Sequence, residues 1–286
     1  MKFTKMQGAG NDYVLIETSG NSHDWSKMAT IMCDRRYGIG ADSLLLLLPS
    51  AQADIRMRVF DADGSEAEAC GNGIRCLGRY AYEKGIVASE VTQIRVETLA
   101  GIRTLCLNKE HDTLKTIRAN MGKPMFLPEE IPVSLKDAPG KTVDINTMLS
   151  YTVSVASRDL TLNLISMGNP HAVYFQQQPV ADFPLSVLGP KVEKLAIFPN
   201  RTNFEVVRVL RKNQVEARVW ERGVGETMAC GSGACAILAA AHTLGLTGKR
   251  IDVSLPGGTL SVEWNGSGEV LLSGPAETVF TGEWPD

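Results

Sequence analysis

The sequence predicts an α+β protein of two pseudo-symmetric halves, each an antiparallel β-sheet curled around a central helix. The first observation behind this prediction is a repeated cysteine-glycine segment, which reads ACGNGIRC at residues 69–76 and ACGSGACA at 229–236. The second is that each copy leads into a helical pattern, whereas most of the remaining chain consists of short runs typical of strands. Many strands and two matched helices are accommodated when one sheet wraps around each helix.

The repeat extends well beyond the two cysteines. Cys70 and Cys230 are 160 residues apart (230 − 70), and other matches keep nearly the same separation in the same order. These matches pair Arg58-Val59-Phe60-Asp61 with Arg218-Val219-Trp220-Glu221, Gly10-Asn11 with Gly168-Asn169, and Leu99-Ala100-Gly101 with Leu255-Pro256-Gly257. A separation that changes so little along the chain indicates an internal duplication with small differences in loop length.

The duplication divides the chain into two predicted domains. We expect the first to span residues 1–118, where its pattern of strands and helices is complete, and the second to span 119–274. Residues 275–286 follow the completed second repeat. We therefore expect them to return to the first half and pair with it.

The first half is predicted to combine short strands with two helices. A surface helix is predicted at residues 25–37, and the helix after Cys70 carries a narrow apolar face at helical spacing. The predicted strands lie at residues 2–7, 13–17, 44–48, 55–60, 91–99 and 102–107.

The second half repeats this arrangement. Its helix, predicted from Ala234 to about Leu246, is apolar nearly all round, which is typical of a helix that is buried on every side. The predicted strands lie at residues 151–156, 160–166, 172–175, 203–210 and 214–220.

Composition limits the classes of protein to which the chain can belong. Its 286 residues suffice for two domains, and 44% hydrophobic with 21% charged residues is typical of a soluble globular protein. A net charge of −3 disfavours nucleic-acid binding, which usually requires a basic surplus. The N-terminus has no apolar signal region, and no run approaches the roughly 20 apolar residues that span a membrane. We therefore expect a cytoplasmic protein without nucleic-acid or membrane partners.

Six cysteines raise the alternative of a zinc site. In a cytoplasmic protein they are expected to be reduced thiols. The close pairs are spaced C-x5-C and C-x4-C rather than the C-x2-C of structural zinc sites, and none of the 4 histidines stands at ligand spacing from them. The sequence therefore predicts no metal site.

The repeated cysteines have a reactive setting instead. A thiol at a helix N-terminus has a lowered pKa, and the same N-terminus presents backbone N–H groups to an anion. Asn72 and Ser232, which follow the two cysteines closely, are good N-cap residue types. Two such units predict two thiols that face one substrate bearing a carboxylate.

Eight motifs resemble, in the same order, those of the diaminopimelate epimerases, and the resemblance runs from residue 2 to about 284. In chain order they are Gly8-Ala9-Gly10-Asn11-Asp12, Gly38-Ile39-Gly40-Ala41-Asp42, Asp63-Gly64-Ser65-Glu66, Cys70-Gly71-Asn72-Gly73, Met167-Gly168-Asn169-Pro170-His171, Glu221-Arg222-Gly223, Cys230-Gly231-Ser232-Gly233 and Leu255-Pro256-Gly257-Gly258.

The resemblance implies epimerisation of LL-diaminopimelate to meso-diaminopimelate in lysine and peptidoglycan precursor biosynthesis. It implies no pyridoxal phosphate, no other cofactor and no metal, and a cytoplasmic homodimer with a small amino-acid substrate. A thiolate on one side of the α-carbon and a thiol on the other exchange roles with each direction of turnover, which suits inversion of the centre.

The site residues follow from the motifs by resemblance. The catalytic residues it implies are Cys70, Cys230, His171 and Glu221. The substrate-binding residues it implies are Asn11, Ser43, Asp61, Gly71, Asn72, Asn169, Asn203, Glu221, Arg222, Gly231 and Ser232. Among these, the first-turn N–H groups of the two helices suit the α-carboxylate, and the Arg222 guanidinium suits the distal carboxylate.

Two residues depart from the family pattern. The family usually has Gln where this chain has Ser43, and Asn where it has Asp61. An Asp61 carboxylate would accept a hydrogen bond from a ligand ammonium but repel a nearby carboxylate. These departures keep open an amino-acid racemase of the same fold with another substrate, such as histidine.

A dinucleotide-binding protein is the alternative from a different class. Gly231-x-Gly233-x-x-Ala236 fits a loose form of the glycine-rich dinucleotide fingerprint. The surrounding sequence shows no strand-helix-strand pattern and no acidic residue at the expected distance after it. The sequence therefore favours the epimerase reading.

Overall fold

A computed structural model gives the fold of the chain and describes residues 1–20, 23–68, 70–110, 113–135, 140–145 and 148–285. The chain divides into two compact units. Unit 1 consists of residues 1–120 and 273–286, and unit 2 consists of residues 121–272. No helix in these described stretches is long and apolar enough to cross a membrane.

The described residues of unit 1 form two helices and nine strands, and the last of these strands begins after the chain has left unit 2. Its helices are α1 (Trp25–Met32) and α2 (Gly71–Glu83). Its strands are β1 (Lys2–Gly8), β2 (Asn11–Glu17), β3 (Ser43–Leu48), β4 (Ile55–Asp61), β5 (Glu66–Ala67), β6 (Gln93–Thr98), β7 (Gly101–Glu110), β8 (Thr113–Asn120) and β19 (Glu277–Glu283).

Unit 2 contains the remaining helices and strands, apart from one strand that includes the boundary at residue 272. Its helices are α3 (Leu185–Glu193) and α4 (Gly231–Thr243). Its strands are β9 (Lys141–Ile145), β10 (Met148–Val155), β11 (Arg158–Ser166), β12 (Pro170–Phe175), β13 (Asn203–Arg211), β14 (Gln214–Glu221), β15 (Gly225–Thr227), β16 (Arg250–Leu255) and β17 (Gly258–Glu263). The boundary strand is β18 (Leu271–Gly274).

The pairing of strands repeats between the units. In unit 1, β1 pairs antiparallel with β2, β2 parallel with β3, β3 antiparallel with β4, and β4 parallel with β6. In unit 2, β11, β12, β13, β14 and β16 follow the same order of antiparallel and parallel pairings. This repetition confirms the predicted fold class of two pseudo-symmetric halves. The sheets are mixed rather than purely antiparallel as predicted, because each includes two parallel pairs. The two strands of each parallel pair are separated in the sequence by other elements.

Each buried helix is surrounded by strands of its own unit. Helix α2 packs against β1, β2, β3, β4, β8 and β19, and helix α4 packs against β11, β12, β13, β16 and β17. In α4 the ten residues Gly231, Gly233, Ala234, Cys235, Ala236, Ile237, Leu238, Ala239, Ala240 and Ala241 are buried. Small side chains let strands approach the helix closely from several directions, so the apolar composition of α4 accounts for its central position.

Several element boundaries differ from the predicted ones. Helix α1 ends at Met32 rather than residue 37, because the chain turns back there and the Gly40 N–H bonds the Met32 carbonyl. Helix α4 begins three residues before Ala234, directly after Cys230. Helix α3 and strands β8 and β9 lie where the sequence pattern gave no regular element. In unit 1, β19 pairs antiparallel with β1 from Lys2 opposite Glu283.

Candidate functional site

Cys70 is the N-cap residue of α2. Its backbone is extended (φ −138°, ψ 112°), and its Sγ accepts a hydrogen bond from the Gly73 N–H at 3.3 Å. The predicted cap Asn72 is instead inside the first turn, so that prediction is wrong. A sulfur at the cap position reaches the third amide of the helix and lies at the positive end of the helix dipole. Ala69, which precedes it in the repeated segment, lies outside the described residues.

Cys230 has the same position at the start of α4. Its backbone is extended (φ −121°, ψ 117°), and its Sγ accepts a hydrogen bond from the Gly233 N–H, also at 3.3 Å. Ser232, predicted as the cap, lies in the first turn with its Oγ 3.5 Å from the Cys230 Sγ. The two cysteines are therefore equivalent in local backbone geometry, and all six cysteines are thiols.

Tyr13 on β2 is the polar side chain that the structure adds beside Cys70. Its Oη lies 3.3 Å from the Cys70 Sγ, and the ring is buried. Burial raises the pKa of Tyr13 well above its ordinary value, and negative charge on Cys70 adds to that shift. The hydroxyl therefore stays protonated and remains available as a hydrogen-bond donor to the sulfur.

Two further groups of α2 belong to the surroundings of Cys70. Arg75 is fully buried and donates from Nη1 to the Gly71 carbonyl and from Nη2 to Asn72 Oδ1, each at 2.8 Å. Cys76 is also fully buried, which raises the pKa of its thiol to about 12 despite the opposing charge of Arg75. The helix thus contributes a permanent cation and a neutral thiol.

Cys230 has a more acidic environment. Burial raises the pKa of its thiol well above the ordinary value, and the negative charges of Glu221 and Glu205 raise it further. Hydrogen bonds from Ser232 and the Gly233 N–H act in the opposite direction but do not outweigh burial. The surroundings of Cys230 therefore favour the protonated thiol.

A hydrogen-bonded chain connects Cys230 to a buried histidine. Ser232 Oγ, beside the cysteine, lies 3.4 Å from Asn169 Nδ2, and Asn169 Oδ1 lies 3.0 Å from His171 Nε2. His171 Nδ1 lies 2.6 Å from Glu205 Oε1, with both side chains fully buried. Both ring nitrogens of the histidine therefore face oxygen atoms, which fixes the orientation of the ring.

Glu205 is a residue that the sequence analysis did not single out. Its Oε2 is buried and has no hydrogen-bond partner among the described residues. A Cβ added at Gly233 would lie 2.8 Å from Glu205 Oε1, so the glycine makes room for the carboxylate against the start of α4. A buried carboxylate with an unused oxygen is costly, which is typical of a functional position.

In unit 1, the other predicted binding residues lie on one face of the sheet. Asn11 and Tyr13 are two residues apart on β2, and their side chains therefore project to the same side. Asn11 Oδ1 is buried and has no hydrogen-bond partner among the described residues. Ser43 is opposite Tyr13 in the β2–β3 register and opposite Asp61 in the β3–β4 register.

Ser43 and Asp61, the two departures from the family pattern, contact each other. Ser43 Oγ donates to Asp61 Oδ1 at 2.9 Å. Burial raises the pKa of Asp61, the Ser43 hydrogen bond opposes this shift, and the charges of Asp63 and Asp42 add to it. Ser43 and Asp61 therefore form one hydrogen-bonded pair, in which the short serine side chain donates to the acid.

In unit 2, the remaining predicted residues gather at the turn after β14. Asn203 donates to the Pro170 carbonyl at 2.9 Å and accepts from the Arg222 N–H at 2.9 Å. Glu221 Oε1 accepts from Thr227 Oγ1 at 2.5 Å. The Arg222 side chain is exposed, its guanidinium bonds the Asn200 carbonyl at 3.4 Å, and it forms no ion pair with any described residue.

Three strands of each unit carry an equivalent row of polar side chains. In unit 2 the β12–β13 register places His171 opposite Asn203, and Glu221 continues the β13–β14 register one residue beyond the Phe204–Trp220 pair. The rows are Tyr13, Ser43 and Asp61 in unit 1, and His171, Asn203 and Glu221 in unit 2. Each row belongs to the same unit as one helix-capping cysteine. The duplication therefore repeats the polar side chains of the candidate site as well as the fold.

The described residues hold no group of three or more histidine, cysteine, aspartate or glutamate side chains that could bind a metal ion. The dinucleotide fingerprint also lacks its structural setting, because the strand before α4 is β15, a short strand antiparallel to β14. Each unit instead offers a thiol at a helix N-terminus with N–H donors next to it. That arrangement suits proton transfer at a carbon next to a carboxylate.

Comparison with known sequences identifies relatives across the whole chain. The profile of the family described as Diaminopimelate epimerase matches residues 3–127 and 163–279. Diaminopimelate epimerase from Pelotomaculum thermopropionicum is 45% identical over 288 residues, covering 100% of this chain and 99% of that protein. The enzyme of the same name from Desulforudis audaxviator is 46% identical over 287 residues, covering 99% of each.

Comparison with solved structures finds the same fold at low sequence identity. A probable proline racemase from Agrobacterium radiobacter superposes with a TM-score of 0.71 at 14% identity, covering 99% of this chain and 92% of that one. A phenazine biosynthesis protein of the PhzF family from Bacillus anthracis superposes with a TM-score of 0.67 at 19% identity, covering 100% and 99%. These similarities support the fold.

Proposed function

The chain belongs to the diaminopimelate epimerase family and is an isomerase, and on this premise we propose that it epimerises LL-diaminopimelate to meso-diaminopimelate with two cysteines and no cofactor or metal. The observation that carries the proposal is the pair of capping thiols. Cys70 and Cys230 each lie at the N-terminus of a buried helix, with the sulfur bonded to the third amide.

The reaction needs a base and an acid that act on one α-carbon. A thiolate removes the α-proton, the electron pair of the C–H bond moves toward the carboxylate, and a thiol delivers its own proton to the opposite face. The first cysteine then holds a proton and the second is a thiolate, so the pair is ready for the reverse direction. General acid and base catalysis of this kind contributes about 10²–10⁴-fold in rate.

The negative charge that develops on the α-carboxylate needs donors that are already in place. We assign this role to the first-turn N–H groups of the two helices, which belong to Gly71, Asn72, Gly231 and Ser232. Helix N-termini favour anions through their N–H groups and their dipole. Donors fixed before reaction stabilise the carbanion without rearrangement.

His171 and Glu221 are assigned supporting roles at Cys230. The hydrogen-bonded chain through Asn169 and Ser232 connects His171 to the surroundings of Cys230 and fixes the orientation of these side chains. Glu221 acts through its charge, which favours the protonated form of Cys230. Glu221 therefore supports Cys230 as the acid of the pair, and His171 positions the polar side chains next to it.

Arg222 is assigned to the distal carboxylate of the substrate. Its guanidinium is exposed and has no described ionic partner, and its backbone is held by Asn203. Glu193 accepts hydrogen bonds from the Gly223 N–H and from Trp220 Nε1 and thereby fixes the turn. A guanidinium on a fixed turn suits bidentate binding of a carboxylate.

Asn11 and Asn169 complete the proposed set of binding residues. The buried and unpartnered Oδ1 of Asn11 is an acceptor that a substrate ammonium would satisfy. Asn169 already bonds Ser232 and His171, so it would connect bound substrate to the Cys230 side of the site.

A racemase for another amino acid is the second candidate, and the Ser43–Asp61 pair is the observation that favours it. A shorter side chain at position 43 and an acid at position 61 change both the space and the charge of the row that begins at Tyr13. An acid there favours a ligand cation over a ligand carboxylate.

The test is the incorporation of solvent deuterium at the α-carbon with a panel of amino acids. We expect diaminopimelate to exchange fastest, and lysine, which lacks the distal carboxylate, to lose several orders of magnitude in kcat/KM. Faster exchange with histidine or lysine would identify the chain as a racemase of different specificity. If Asp61→Asn sharply raises diaminopimelate turnover, the same conclusion follows.

We further propose that the protein works in the cytoplasm as a homodimer and contributes to lysine and peptidoglycan precursor biosynthesis. A site that uses two thiols requires a reducing compartment. Val279 and Phe280 on β19 are 56% and 47% exposed, and they are apolar side chains that a contact between copies through this strand would cover. Sedimentation equilibrium of the wild type and Phe280→Asp tests the dimer.

A further inference from the structure

We propose that a cluster of four charged side chains in unit 1 positions Asn11 and thereby sets how tightly the enzyme binds its substrate. The members of this charged cluster are Lys5, Asp12, Arg35 and Asp42. The inference deepens the proposed function and rests on it for the binding role of Asn11. All four residues and Asn11 belong to unit 1.

The two acids of the charged cluster join the starts of two parallel strands. Asp12 follows Asn11 at the start of β2, and Asp42 directly precedes Ser43, the first residue of β3. The Asp12 N–H donates to Asp42 Oδ2 at 3.0 Å. The Asp42 nitrogen lies 3.1 Å from Asp12 Oδ1 and 2.9 Å from the Asp12 carbonyl oxygen, and its N–H is shared between them. The residue that follows Asn11 therefore fixes this end of β2 against β3.

Two cations compensate the charge of these acids. Lys5 on β1 is buried, and its Nζ donates to Asp12 Oδ2 at 2.6 Å and to the Gly40 carbonyl. Arg35 donates from Nη1 and Nη2 to the two oxygens of Asp12, at 3.1 and 2.8 Å, and from Nη2 to Asp42 Oδ1 at 2.6 Å. Lys5 therefore neutralises the acids on their buried side, and Arg35 bridges them on their exposed side.

The pKa values of the two acids reflect this balance. Burial raises the pKa of Asp12, but the hydrogen bonds and charges of Arg35 and Lys5 outweigh it and leave the pKa below the ordinary 3.8. Burial raises the pKa of Asp42; the hydrogen bond from the Asp12 N–H opposes this shift, and the negative charge of Asp12 adds to it. The acids thus disfavour each other's ionisation, and the cations keep them together. We expect the starts of β2 and β3 to separate when a cation is lost.

The charged cluster supports Asn11 from the opposite face of the sheet. Successive side chains of a strand project to opposite faces, so Asp12 points away from the side to which Asn11 and Tyr13 project. Lys5 is opposite Val14 in the β1–β2 register and therefore shares the face of Asp12. The cluster can hold the start of β2 without occupying the side on which Asn11 would contact substrate.

Unit 2 joins the equivalent strands with an amide instead of charges. Alignment of the two units on their strand registers places uncharged residues where unit 1 has Lys5, Asp12 and Asp42. In the same order these residues are Leu164, Pro170 and Thr202. Asn203 Nδ2 donates to the Pro170 carbonyl at 2.9 Å and thereby joins β13 to β12.

In unit 1 the residue equivalent to Asn203 is Ser43, and its shorter side chain bonds Asp61 at 2.9 Å. The charged cluster therefore does in unit 1 what one amide does in unit 2. Asn11 Oδ1 is buried and has no hydrogen-bond partner among the described residues. A substrate ammonium would satisfy this acceptor, so the position of Asn11 decides how well the ammonium is held. Lys5 and Arg35 are positioning residues in this scheme, because they act through Asn11.

The test is the KM of cluster variants for the amino acid that exchanges its α-hydrogen with solvent fastest. Lys5→Met keeps most of the length of the side chain and removes its charge. It should raise KM about 10-fold or more and change kcat less than about threefold, because Asn11 holds the substrate equally in the ground state and the transition state. An unchanged KM in folded Lys5→Met, verified by circular dichroism, would overturn the proposal.

A double-mutant cycle with Asn11→Ala shows whether Lys5 acts through Asn11. Asn11→Ala removes the acceptor, so the exact position of residue 11 no longer affects the ammonium. In that background Lys5→Met should change KM less than about twofold. An equal increase in both backgrounds would overturn the proposal, because a general loosening of the fold adds to the effect of Asn11→Ala.

Arg35→Gln makes the same test on the exposed side of the cluster, and it remains available if Lys5→Met fails to fold. It should raise KM less than Lys5→Met does, because the Arg35 side chain is 58% exposed and exposed ion pairs contribute less than buried ones. Arg36→Gln is the matched control, because Arg36 is the exposed neighbour in sequence and lies outside the cluster. Equal KM values for the two variants would count against the cluster.

Failure of this inference is separable from failure of the proposed function. A raised KM in Asn11→Ala with an unchanged KM in Lys5→Met and Arg35→Gln would overturn the inference alone. An unchanged KM in Asn11→Ala would remove Asn11 from the proposed binding residues and overturn the inference with it. The comparison does not require diaminopimelate to be the preferred substrate, because every amino acid carries an ammonium group.

Discussion

The helix N-termini at Cys70 and Cys230 have the same backbone geometry and different neighbours. Each sulfur caps its helix and bonds the third amide at 3.3 Å. The difference comes from the adjacent strands, which supply a tyrosine hydroxyl to Cys70 and a buried carboxylate beside Cys230. A duplicated motif therefore provides two equivalent thiols, and the strands that surround it make them unequal.

The largest expected effect comes from removing either sulfur. Cys70→Ala and Cys230→Ala should each reduce epimerisation by about 10³-fold or more, because each variant lacks one of the two proton-transfer groups. Cys→Ser should retain more activity than Cys→Ala, since a hydroxyl occupies the relay position but is a poorer base. Initial rates with LL-diaminopimelate measure both effects.

The buried cysteines of the same helices provide matched controls. Cys76 and Cys235 are fully buried in α2 and α4. Their alanine variants should keep kcat near the wild-type value, with a lower thermal midpoint from lost packing. Near wild-type rates in either Cys70→Ala or Cys230→Ala would contradict the equivalence of the two thiols in catalysis.

A smaller effect is expected from the glycines that follow the cysteines. Gly233→Ala should lower kcat about 10–100-fold, because its methyl group would displace the Glu205 carboxylate from a 2.8 Å approach. Gly73→Ala should cost less, since the terminal methyl of Leu45 can move from 3.1 Å. Both alanines meet the preceding cysteine at similar distances, so the comparison isolates Glu205 from Leu45. An equal loss in both variants would show that the carboxylate is unimportant.

The smallest expected effect is on stability at Asp61. Burial raises its pKa in the folded protein above the ordinary 3.8. The folded state therefore binds the proton more tightly than the unfolded state, and stability is lost as pH rises through the folded-state pKa. Asp61→Asn should raise the unfolding temperature at pH 7 by a few degrees and leave it unchanged at about pH 3. A lower unfolding temperature at pH 7 would contradict this.

The sequence predicts most of the fold because its repeated motifs reveal the duplication. The repeat identifies two matched helices, and alternating strands such as Ile55–Asp61 show the expected period of two. The sequence does not reveal the parallel pairs β2–β3 and β12–β13. The two strands of each pair are separated in the sequence by a helix, and they come together only when the chain folds. It also misplaces the helix caps, since residue preference favours Asn72 and Ser232 over cysteine.

Tyr13 and Glu205 were missed for a different reason. Each lies within a mostly apolar strand, where a tyrosine or a single glutamate gives no local signal of function. The signal that could have found them is the repeat itself, because its separation of about 160 residues aligns Tyr13 with His171 and Leu45 with Glu205. Positions where equivalent strands differ in charge are therefore worth inspection in any duplicated fold.

The most direct test of the central claim, that two separate cysteines act as base and acid, is isotope placement at early conversion in D₂O. Starting from LL- or meso-diaminopimelate, the claim predicts that the product carries deuterium at the inverted α-carbon while recovered substrate keeps its original hydrogen. Mass spectrometry of both pools measures this. Product that retains the substrate hydrogen, or substrate that gains deuterium as fast as product, would indicate a single base and contradict the account.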